Sequence, residues 1–210
     1  MQILAHRGAW LTSTEKNSRG ALVYALKSGW GIETDIRDLD GELVISHDMP
    51  RRGVLPLETL FKDYVNNSCS GTLALNMKAD GLANELKVLL ARYQITRYFC
   101  FDMSVPDSMD YFSANMITAA RLSEYEPEGE LSQRASVLWV DGFSSNKVEI
   151  VLIKRWLASG KSVSFVSPEL HQRDHEYFWQ SLRSLPEELL SHPNMMLCTD
   201  FPEQAEALLK

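Results

Sequence analysis

Two histidines frame an acidic pair near the start of the chain: His6-Arg7-Gly8, then Glu33-Thr34-Asp35, then His47-Asp48. The first motif closes an apolar run, Ile3-Leu4-Ala5, and the third closes another, Leu43-Val44-Ile45. One residue separates Glu33 from Asp35, so on a strand both carboxylates leave the same face. Two imidazoles, two carboxylates and a guanidinium at strand ends supply a proton donor, a proton acceptor, a cation seat and an anion clamp. That inventory suits cleavage of a phosphodiester.

Such a set acts together only if the chain brings its strand ends to one place. Strand-like runs are predicted at Ile3–Ala5, Gly31–Ile36, Leu73–Met77, Tyr98–Phe101, Met116–Ala120, Val137–Val140, Ser162–Val166 and Met195–Cys198. Amphipathic segments with helical spacing lie between them, among them Arg19–Ser28, Leu82–Tyr93, Lys147–Ser159 and Tyr177–Leu190. Val105–Phe112 reads as a short helix, and Glu124–Arg134, which holds Pro127 and Gly129, as partly loop. Eight strand–helix alternations predict an α/β fold, a (β/α)8 TIM barrel. At 210 residues it would be a compact one, a single domain over residues 1–210. Asp40-Gly41 is a tight-turn pair, so Leu43–Ile45 is predicted as an extra hairpin strand after the second barrel strand, folding His47 back toward Glu33 and Asp35.

In a parallel barrel the C-terminal strand ends share one mouth. His6 and Arg7 end the first strand, Asn76 and Lys78 the third, and Arg121 the fifth; Arg121 is read as holding a second anionic group of a substrate. His171, His175 and His192 read as surface or capping residues, and Trp139 as packing.

Composition narrows the function. A formal charge of −7 argues against nucleic acid as a partner but leaves room for a small anionic substrate. Three widely spaced cysteines, Cys69, Cys100 and Cys198, make no metal or disulfide pattern and are expected as reduced, mostly buried thiols. No signal-peptide-like stretch or apolar run of membrane-spanning length occurs, so no integral membrane segment and a cytoplasmic location are expected.

The motifs resemble the glycerophosphodiester phosphodiesterase family, whose barrel is shared with phosphatidylinositol-specific phospholipases C and sphingomyelinase D-type enzymes. The resemblance rests on His6-Arg7-Gly8, on Glu15 to Ser18 as a loosened Glu-Asn-Thr, and on Glu33-x-Asp35 with the Asp40-Gly41 turn. His47-Asp48, Lys78 and the closing Thr199-Asp200-Phe201-Pro202 complete it. It implies that His6 and His47 are an acid/base pair, that Glu33 and Asp35 hold Mg²⁺ or Ca²⁺, and that Arg7 and Lys78 bind phosphate. The family's third acidic ligand is here Asn76, whose amide oxygen can coordinate but brings no charge; Glu124 or Asp102 are candidates to replace it. The insertion that often caps the family's site is cut down, leaving only Met49 to Leu60 before the next helix. The expected activity is metal-assisted cleavage of a glycerophosphodiester or related small phosphodiester. The alternatives are a catalytically impaired phosphate-binding barrel and a lyase that releases a cyclic phosphate.

Overall fold

The computed structural model describes residues 1–146 and 148–209. They form two compact units, one over Ala5–Thr118 and one over Met1–Leu4 with Ala119–Lys210. The first strand, β1 (Gln2–His6), begins in the second of these and ends in the first.

In the Ala5–Thr118 unit, β2 (Gly31–Leu39) pairs with β3 (Glu42–Ile45) in an antiparallel hairpin. Asp40 and Gly41 take φ of 53° and 84°, the left-handed pair that a two-residue turn requires. The two-residue β4 (Leu55–Pro56) adds to β3. The parallel part of the sheet runs from β2 to β5 (Leu73–Met77) and on to β6 (Tyr98–Phe101). All five residues of β5 are buried, as a strand covered on both faces must be. Helices α1 (Arg19–Lys27), α2 (Leu57–Asn66), α3 (Ala83–Arg92) and α4 (Val105–Ser113) belong to this unit. In α1 the residues Ala21, Leu22, Ala25 and Leu26 are buried, one apolar stripe, and Ser18 caps its start by accepting from the Ala21 amide.

In the other unit, β7 (Ala119–Leu122), β8 (Val137–Val140), β9 (Ser162–Val166) and β10 (Met195–Thr199) pair in parallel, in that order. Helices α5 (Glu130–Arg134) and α6 (Ile150–Ala158) connect the first three strands, α7 (Glu176–Arg183) and α8 (Glu187–Leu190) lead to β10, and α9 (Pro202–Leu209) follows it.

Eight strands, β1, β2 and β5 to β10, match the expected barrel strands, and β3 is the extra hairpin strand. Three expectations shift. The fifth barrel strand was expected at Met116–Ala120 but the strand starts at Ala119; ahead of it the Cys100 amide donates to the Ile117 carbonyl at 2.9 Å and Cys100 forms an isolated bridge with Thr118. The segment Tyr177–Leu190 is two helices, because Pro186 has no N–H to continue α7 and instead caps α8. The helix expected from Lys147 starts at Ile150, and Lys147 itself lies outside the described residues. Cys100 and Cys198 are buried and Cys69 is half-buried, all as free thiols.

Candidate active site

All the candidate residues but Arg121 and Glu124 lie in the Ala5–Thr118 unit. The chain leaves β1 through two left-handed residues, Arg7 (φ 58°) and Gly8 (φ 90°). A Cβ on Gly8 would stand 2.6 Å from the Ala21 carbonyl carbon, so only glycine lets this turn pack on α1. The turn aims the Arg7 side chain at β2, and its Nε lies 3.0 Å from Asp35 Oδ2. His6 Nε2 lies 3.8 Å from Glu33 Oε2, while the His6 carbonyl accepts from the Trp10 indole at 3.0 Å.

The β2–β5 register sets Asp35 opposite Asn76. Asn76 donates through Nδ2 to Glu33 Oε1 at 3.1 Å. Lys78 Nζ, one step beyond the same strand, reaches 3.5 Å from Asp35 Oδ1 and 4.0 Å from Asp102. Asp35 has no exposed surface, and Arg7, Lys78 and an Asn17 amide surround it. Glu33 differs. It is just as deep, and burial followed by repulsion from Asp35 raises its pKa to about 7, against the pull of His6, Arg7 and the Asn76 amide.

Three buried oxygens of this group, Glu33 Oε2, Asp35 Oδ1 and Asn76 Oδ1, accept no hydrogen bond. Buried acceptors are normally satisfied, so these three oxygens on two paired strands are available to a further ligand. They are hard oxygen donors, two from carboxylates and one from an amide, and they fit a Mg²⁺- or Ca²⁺-sized cation. Among the described residues no group of three or more His, Cys, Asp or Glu gathers to hold a metal, and the third oxygen beside Glu33 and Asp35 is that of Asn76.

Thus His6, Arg7, Glu33, Asp35, Asn76 and Lys78 come together. For His47 the backbone and the ring behave differently. Ser46 donates its amide to the Asp35 carbonyl at 3.0 Å, so the hairpin returns the chain to the level of Asp35 as expected. The exposed His47 ring bonds through Nδ1 to Asp48 Oδ1 at 2.8 Å, and its carbonyl accepts from Arg37.

Arg121 lies in the other unit, 3.6 Å from Asp141 and stacked over Phe143. Glu124, weighed above as a substitute metal ligand, is already engaged: its two oxygens accept from the amides of Phe143, Ser144 and Ser145 and from the Ser144 hydroxyl. Its own backbone amide first, then the Ser144 and Ser145 donors, hold its pKa far below the usual carboxylate range. His171, read as a surface residue, is half-buried and bonds Asp141 Oδ1 through Nε2. The same unit holds a cavity of about 300 Å³ on Leu122, Val140, Trp156, Phe165 and Phe178, rimmed by glutamates. Among the described residues its walls carry no Lys, Arg or His.

The residues that sequence reasoning passed over are Asn17, Thr34 and Trp10. Asn17 was within a quoted motif, but nothing in residue type or spacing showed that its amide reaches two side chains of β2.

No protein-family model matches the chain, and no curated protein matches it. Solved structures do. A glycerophosphodiester phosphodiesterase from Agrobacterium tumefaciens superposes with a TM-score of 0.73 at 16% identity, covering 99% of this chain and 98% of that one. The fold is the barrel of those enzymes. A phosphodiesterase from Oleispira antarctica, solved with the product sn-glycerol-3-phosphate, matches at a TM-score of 0.64 and 14% identity, covering 100% of this chain and 96% of that one. A Ca²⁺-dependent phosphatidylinositol-specific phospholipase C from Streptomyces antibioticus matches at 0.59 and 11% identity, with coverage of 100% and 96%. The α/β chain predicted from eight alternations thus has the (β/α)8 barrel fold of these neighbours. Among the described residues no helix is long and apolar enough to cross a membrane.

Proposed function

We propose that the chain is a phosphoric diester hydrolase acting on a glycerophosphodiester or a related small phosphodiester. The observation that carries this reading is the buried group on β1, β2 and β5, in which His6, Arg7 and Lys78 meet Glu33 and Asp35 around three unsatisfied oxygens. The neighbour solved with a glycerol phosphate product, and the calcium dependence of the phospholipase neighbour, support a phosphate ester and a divalent cation here.

Glu33, Asp35 and Asn76 would hold Mg²⁺ or Ca²⁺, which when bound supplies positive charge against a non-bridging phosphate oxygen. Arg7 presents a planar fork and Lys78 a point charge to the same phosphate. His6 moves a proton at Nε2, the nitrogen facing Glu33, while the Trp10 indole steadies its backbone. His47 is its partner at the other reacting oxygen, one taking the proton of the nucleophile and the other giving one to the leaving alkoxide. For that, His47 turns its ring away from Asp48, a rotation open to an exposed side chain. The free thiols fit a cytoplasmic location.

The test is turnover of a diester panel with Mg²⁺, with Ca²⁺ and with chelator, read by phosphorus NMR. Monoester products support the hydrolase, and an accumulating cyclic phosphate would move the assignment to a lyase. Binding of phosphate without turnover of any diester would leave an impaired binding barrel instead, a reading that the neutral Asn76 and the outward His47 ring favour.

A further inference from the structure

The Asp35 carboxylate meets two cations, Arg7 and Lys78, and one neutral side chain among the described residues, that of Asn17. That residue sits at φ 61°, a left-handed conformation that asparagine tolerates better than most residues. Its amide nitrogen donates to the Arg7 carbonyl at 2.8 Å, and the next residue, Ser18, caps α1. Upstream, Glu15 Oε2 accepts from the Leu11 amide at 2.8 Å. The loop is thus tied at three points before it delivers the Asn17 side chain.

That side chain makes a directed bridge. Nδ2 donates to Asp35 Oδ2 at 2.8 Å, and Oδ1 accepts from the Thr34 hydroxyl at 2.8 Å. A carboxylate can only accept, and a hydroxyl can satisfy the amide oxygen, so Thr34 dictates which end of the amide faces Asp35. With Oδ2 shared between Asn17 and Arg7, Asp35 Oδ1 is left without a hydrogen bond, and it is the oxygen assigned above to the cation.

We propose that Asn17 is a positioning residue: with Thr34 fixing its amide, it holds the Asp35 carboxylate in the rotamer that offers Oδ1 to the divalent cation. The inference rests on the reading of Asp35 as a cation ligand. Partners behind a metal ligand set its orientation, and their loss typically weakens metal binding or activity by about 10- to 100-fold.

The experiment compares wild type with Asn17→Gly, Thr34→Val and Thr34→Ser. Glycine keeps the left-handed backbone and removes only the amide. Mg²⁺ alone is titrated by calorimetry, and kcat and KM are measured on bis(p-nitrophenyl) phosphate. Asn17→Gly is expected to weaken Mg²⁺ binding and lower kcat about tenfold each, with KM little changed. Thr34→Val, which frees the amide to turn its oxygen toward Asp35, is expected to act in the same direction but less. Thr34→Ser, which restores a hydroxyl, should recover the wild-type values. Wild-type Mg²⁺ affinity in Asn17→Gly, or equal losses in the two Thr34 variants, would overturn the positioning role while leaving the proposed function intact. A wild-type protein that neither binds Mg²⁺ nor cleaves any diester would overturn the proposed function, and this inference with it.

Discussion

At position 76 the chain carries an amide where a third carboxylate would complete the oxygen set around Glu33 and Asp35. The amide nitrogen is spent on Glu33, which leaves its oxygen for a cation and subtracts one negative charge from the seat. Restoring that charge with Asn76→Glu should tighten Mg²⁺ or Ca²⁺ binding by about tenfold, one more charged oxygen among hard ligands. The same substitution should lower the melting temperature without metal, because a third buried carboxylate repels Glu33 and Asp35. Calorimetry and thermal denaturation read the two opposing effects. For the proton carriers, His6→Ala and His47→Ala are each expected to cut kcat by about 10²- to 10⁴-fold, with circular dichroism unchanged. Near-wild-type turnover in either variant would remove that histidine from the mechanism. At this scale the sequence was legible wherever chemistry-bearing types fell at strand ends: His6, Arg7, Glu33, Asp35, Asn76 and Lys78 do meet. Asn17 and Thr34 were not legible, because their bridge depends on the path of a loop and on a reach across a strand that no periodicity encodes. The direction of the His47 ring was equally hidden, since the hairpin fixes the backbone beside Asp35 and leaves the exposed side chain to its neighbour Asp48.

Among the elements, those set by local chemistry were the readable ones. The Asp40-Gly41 turn announces its hairpin because few dipeptides accept two successive positive φ angles. Apolar runs such as Leu73–Leu75 and Met195–Cys198 announce buried parallel strands. The shifted β7 was not readable, since Met116 to Ala120 is apolar but for Thr118 and only pairing partners decide where its ladder begins. The two-residue β4 is too short to carry a pattern, and it exists because β3 offers it an edge. The β1–α1 turn is where element geometry governs the site, since it carries Arg7 toward Asp35. Gly8→Ala places a methyl against the Ala21 backbone in a conformation that side chains avoid, at a cost of ~3 kcal/mol. In a chain of this size that lowers the melting temperature by about 10 °C. Because α1 must move to admit the methyl, diester turnover should fall further than stability alone explains when assayed well below the melting point.

For the molecule as a whole, the buried charge that serves the site is also a burden on the fold. Glu33 has an ordinary pKa of 4.5 and is raised to about 7 by burial and by Asp35. A carboxyl whose folded pKa lies above its unfolded one favours the native state while protonated. Its contribution is complete below pH 4.5 and is lost as the pH rises toward 7, where the unfolded chain has released the proton and the folded chain still resists. The metal-free protein should therefore melt several degrees lower at pH 7.5 than at pH 5.5, other groups held equal. Glu33→Gln isolates this effect, because the neutral amide should flatten the slope in that window. Saturating Mg²⁺ or Ca²⁺ should restore stability at pH 7.5 and have little effect at pH 5.5, where a cation must displace the proton before it binds. Calorimetric melting of both proteins at the two pH values, with chelator and with cation, tests this directly. If the wild type and Glu33→Gln show the same pH slope and the same response to cation, Glu33 is not the titrating ligand, and the divalent seat has to be sought elsewhere.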